Sequence, residues 1–142
     1  MCFVLFAGRD QPFAEVAWDE NDRRVHVVAL TDHDRDVSEH FDSAVVQYVG
    51  SSLGCGCGFR NITQADDWLF TDEDDDNEHE ANHQQLADLM ATPLAAGERV
   101  VLFGCWDGEW TNPVAARHEV TLADLIDPGF AFVHSAMYTL TK

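Results

Sequence analysis

Ala44-Val-Val-Gln-Tyr-Val-Gly-Ser-Ser-Leu-Gly-Cys-Gly-Cys-Gly-Phe-Arg60 joins an apolar run to a segment in which glycine alternates with larger residues. The run Ala44–Val49 reads as a β-strand. If the chain stays extended beyond it, Gly54, Gly56 and Gly58 share one face, and Cys55, Cys57 and Phe59 share the other. One face is then bare backbone, open to close approach, and the other carries two thiols. If the chain turns instead, the glycines supply positive φ and their N–H groups form an anion-binding nest. Glycine weakens a strand, so three of them point to a geometric need. Gly54, Gly56, Gly58 and Arg60 are therefore candidate ligand-binding residues. The competing reading is a kinked strand end with two buried cysteines, because free cysteine is among the most buried residue types.

The flanking pattern places this segment in a single α+β domain over residues 1–142. Cys2-Phe-Val-Leu-Phe-Ala7 is a continuous apolar run ended by Gly8, as expected of a buried strand. Phe13–Trp18 and Arg24–Leu30 flank the turn signal Asp19–Asp22 and suggest a hairpin. Arg99–Trp106 is another buried strand, with Asp107-Gly108 a tight-turn signal between Trp106 and Trp110. Phe130–Leu140 reads as a long last strand. The main predicted helix covers about 78–91, capped by Asn77, with Glu80 at its third position and Leu86, Leu89 and Met90 as its apolar stripe. Pro93 and Gly97 stop it. Short helices are expected from Thr63 and over Thr121–Ile126. The whole is a largely antiparallel or mixed sheet with helices on a face.

Four constellations carry chemistry. Cys55 and Cys57, with Cys105 from a neighbouring strand, offer three sulfurs to zinc or another soft metal. Without metal, Cys55 or Cys57 is a candidate nucleophile if Arg60 or a glycine nest lowers its pKa. His79-Glu80-Ala81-Asn82-His83 matches H-E-x-x-H, which puts two histidines one helical turn apart on one metal with Glu80 as base. In that respect the chain is similar to zinc metallopeptidases, and the resemblance implies His79 and His83 as zinc ligands of a hydrolase. It departs from them in following an acidic loop, and in having Leu86 where the extended motif has glycine. Asp32, Asp34 and Asp36, and Asp72, Asp74 and Asp76, have the opening spacing of an EF-hand loop but lack its glycine and its closing glutamate. Removal of Met1 would expose Cys2 as an N-terminal nucleophile, superficially similar to the amidohydrolases of that kind. The alternative places Cys2 in the core of the first strand.

Composition bounds the partners. The chain has 26 acidic and 8 basic residues, a formal charge of −18, which opposes phosphate backbones and anionic lipids. Nucleic acid and membrane are thus not expected partners; a small ligand, a cation or a basic protein is. With no signal-peptide pattern and no long apolar run, the expected location is cytoplasmic, with reduced thiols. A Cys55–Cys57 disulfide would close a strained ring and is not expected.

Overall fold

The computed structural model describes residues 2–62 and 73–142, with side chains of the second stretch described from residue 77 onward. The short helix predicted from Thr63, and Asp72 of the second aspartate triplet, lie outside the described residues. The fold is α+β. A mixed six-stranded sheet has the order β2-β3-β1-β5-β8-β6. Its strands are β1 (Phe3–Arg9), β2 (His26–Ala29), β3 (Val45–Gly50), β5 (Val100–Trp106), β6 (Ala116–Thr121) and β8 (Ala136–Thr141). The short strands β4 (Asn61–Ile62) and β7 (Phe132–Val133) form a separate parallel pair. Two α-helices complete the set, α1 (Glu73–Ala95) and α2 (Leu122–Ile126).

β1 is central, antiparallel to both β3 and β5. Both of its faces are covered, which is why its sequence is apolar from Phe3 to Gly8 rather than alternating. Phe3, Leu5 and Ala7 pack on the side of α1 with Leu86, Met90 and Leu94. Val4 and Phe6 pack on the other side with Val37, Phe41, Phe103, Cys105 and Trp110. The side chains of α1 that enter the core recur every fourth position, one turn apart on the helix.

Several expectations are corrected. α1 starts at Glu73, so Asn77 is inside the helix and caps nothing, and Glu80 is not in its first turn. Pro93 does not stop α1 but sits in its last turn. The stop is Gly97, at φ +82°, with Glu98 N–H bonded to Pro93 O (3.0 Å) and Gly97 N–H to Leu94 O (3.0 Å). Those two bonds make a Schellman end. The Phe13–Trp18 segment is not a strand. It borders the sheet through Gln47, which binds both the N–H and the C=O of Phe13, and through Val16 N–H to Val27 O. Asp107-Gly108 turns, but Trp110 packs edge-on against Phe6 instead of lying in a return strand. The long last strand is broken into β7 and β8 at Ser135, whose φ is +62°. β6, which the sequence pattern did not mark, runs parallel to β8.

Candidate metal centre

The glycine-cysteine segment turns rather than extends. Gly54 has φ +86°, and Gly56–Gly58 form one 3₁₀ turn closed by Phe59 N–H to Gly56 O (2.9 Å). Ser51, fully buried, organises the turn. Its Oγ–H donates to Cys55 O (2.5 Å), while the N–H groups of Leu53 (3.2 Å) and Gly58 (3.0 Å) donate to that Oγ. Asn82 of α1 holds the other side. Its Oδ1 accepts from Ser52 N–H at 2.9 Å, and its Nδ2 donates to Ser52 Oγ, to Gly58 O and to Glu78 O. His79 contacts the segment through Nε2 and Cys57 O, 3.4 Å apart.

The glycines make the turn fit its surroundings. A Cβ on Gly56 would stand 2.6 Å from Phe3 O, and one on Gly58 would stand 2.7 Å from Asn82 Nδ2. Backbone therefore meets backbone at the start of β1. That approach brings the thiol of Cys2 to those of Cys55 and Cys57. The three Sγ atoms lie within 4.8 Å of one another, close enough to hold one metal ion. The Phe3 backbone and the thiols of Cys55 and Cys2 all bear on the Cys57 sulfur. Cys2 is exposed, whereas Cys55 and Cys57 are half-buried, and all three are free thiols. Burial pushes the Cys57 thiol up to about 12, with the adjacent Cys55 adding to the effect. The Tyr48 phenol, which donates to Gly54 O (3.2 Å), is held well above its usual range by burial and then by Cys55 and Asp107.

The remaining predicted residues are placed elsewhere. Cys2, not Cys105, is the third sulfur, and Cys2 is not a core residue. Cys105 pairs with Val4 across β1 and β5 and is fully buried in the core cluster opposite α1. Burial, then the carboxylates of Glu109 and Asp107, push its thiol up to about 12. Arg60 is turned inward, donating to Asp127 O (2.8 Å) and Phe130 O (3.0 Å), and so ties the loop after α2 to the glycine segment. His83 is wholly buried. Its Nδ1 bonds Leu125 O (2.8 Å) and its Nε2 accepts Arg60 N–H (2.9 Å), which fixes one neutral tautomer and commits both ring nitrogens. Burial, then the nearby Arg60, lower its pKa to about 4. The group among the described residues that could hold a metal includes neither His79 nor His83. The first aspartate triplet is engaged locally, with Asp34 accepting from Thr31 N–H (2.7 Å) and Asp32 paired to Arg35.

Antiparallel pairing is the signal that would have found Cys2. Residues after β3 necessarily lie beside residues before β1, so the end of one strand meets the start of the other. No helix among the described residues is long and apolar enough to cross a membrane. No protein-family model, curated protein or solved structure matches this chain.

Proposed function

We propose that the chain is a small metal-binding domain that takes one soft ion, Zn²⁺ or Cu⁺, on the sulfurs of Cys2, Cys55 and Cys57. The carrying observation is the convergence of three thiols from two distant segments within 4.8 Å, held by backbone contacts that tolerate no side chain at Gly56. Thiolate sulfur selects soft ions. Three sulfurs satisfy a trigonal Cu⁺, while tetrahedral Zn²⁺ takes a fourth donor from outside this set.

Protonation argues against Cys57 as the primary nucleophile of a turnover enzyme. A catalytic thiol needs a lowered pKa in an electropositive setting, and Cys57 has the reverse. A metal overcomes that burial by displacing the thiol protons, so binding releases protons and strengthens as pH rises. The test is reconstitution of reduced protein with zinc or cobalt(II), followed by a metal count. One ion per chain is expected, with charge-transfer absorption from sulfur to cobalt. Cys2→Ser, Cys55→Ser or Cys57→Ser should each weaken binding at least tenfold, while Cys105→Ser should not. Equal binding by all four variants would remove the proposal.

A further inference from the structure

We propose that the same cluster is a peroxide-responsive thiol switch, in which Cys2 and Cys57 join in a disulfide and a bound metal is expelled. The disulfide half stands on the thiol geometry alone; the expulsion half rests on the metal reading above. Among the three sulfurs, that of Cys2 belongs to the exposed residue and is the one a solvent oxidant reaches first. The Cys57 sulfur lies within 4.8 Å of it, and the Cys2 thiol bears directly on Cys57. A Cys55–Cys57 bond would instead strain the short turn around Gly56, which is packed against Phe3 O.

The chemistry closes with a hydroperoxide as oxidant. The Cys2 sulfur attacks one peroxide oxygen, the O–O bond breaks, and the thiol proton leaves with the departing hydroxide as water. Cys2 is then a sulfenic acid. The Cys57 sulfur attacks the Cys2 sulfur, the S–O bond breaks, and the Cys57 proton goes with the hydroxyl as a second water. Two thiols have lost two electrons and the peroxide has gained them. Only Cys55 remains as a thiolate donor, and one sulfur does not retain the ion. Cys105, buried in the opposite core cluster, takes no part.

The experiment treats reduced, metal-free protein and zinc-loaded protein with one equivalent of hydrogen peroxide. Intact mass and fragmentation without reductant then locate the bond, and a chromophoric chelator reads released zinc. The expected result is a Cys2–Cys57 bond, reversed by dithiothreitol, with zinc released in step with it. Cys2→Ser, which alters an exposed position, should keep the far-ultraviolet spectrum of the fold and form no disulfide. A bond to Cys55, a Cys55–Cys57 ring, or irreversible oxidation without a disulfide would overturn the switch. Zinc bound with no disulfide formed would overturn the switch alone and leave the metal reading standing. A Cys2–Cys57 bond in protein that never binds zinc would support the thiol half and remove the metal reading.

Discussion

A Cβ at Gly56 has nowhere to go, because its nearest neighbour is a backbone oxygen rather than a flexible side chain. Gly56→Val should therefore cost more stability than Cys55→Ser or Cys57→Ser. The cysteine changes swap a thiol for a hydroxyl at half-buried positions, at about 1–3 kcal/mol each. The valine must push β1 away from the turn, and a loss beyond roughly 3 kcal/mol in denaturant melts is expected. At the same scale, His83 makes stability depend on pH. Its folded pKa of about 4 lies below the unfolded value of 6.5, so the unfolded chain binds the extra proton. The stabilisation is complete above about pH 6.5 and is lost as pH falls through 4, amounting to on the order of 3 kcal/mol at about 1.36 kcal/mol per unit. Denaturation midpoints between pH 7.5 and 4.5 should fall steeply, and His83→Gln should flatten the fall. Individual residues were the least legible part of the sequence. Cys55 and Cys57 stood out by spacing, but Cys2 gains its role only from strand pairing. Likewise, nothing in H-E-x-x-H tells a pair of zinc ligands from a histidine that clamps two backbone groups.

Among the elements, legibility followed burial. β1 and β5 were readable because both of their faces are covered, which leaves an unbroken apolar run. β6 was not, since Arg117, His118 and Glu119 are exposed and only Val120 is buried. Its strand state comes from hydrogen bonds to β8, which no local pattern records. The ends of α1 run past their local signals, because the strong preferences of Asn77 and Pro93 are overridden by the surrounding helix. Two substitutions check this. Asn77→Ala should change stability by less than about 0.5 kcal/mol, as for an exposed mid-helix position. Gly97→Ala should destabilise by roughly 1 kcal/mol although its Cβ would touch nothing, because the whole cost is the left-handed φ. Reversal of that order would restore the shorter helix.

For the molecule as a whole, the governing quantity is the formal charge of −18. Among the described residues, Arg9, Arg23, Arg24 and Arg35 already pair with carboxylates, so little basic charge is left to offset the 26 acidic residues. Raising monovalent salt from low to molar concentration should raise the melting temperature by several degrees through screening. A flat profile would mean that the acidic surface costs the fold nothing. The central position of β1 has a kinetic side. Cys2 meets Cys55 and Cys57 only after β1 has found β3, about forty residues away, and β1 must also accept β5, nearly a hundred residues on. Until those loops close, the three sulfurs are independent thiols on a wandering chain. Their convergence is thus a timer for the pairing of β1 with β3: a thiol-specific reagent added during refolding would report the moment at which those two strands meet.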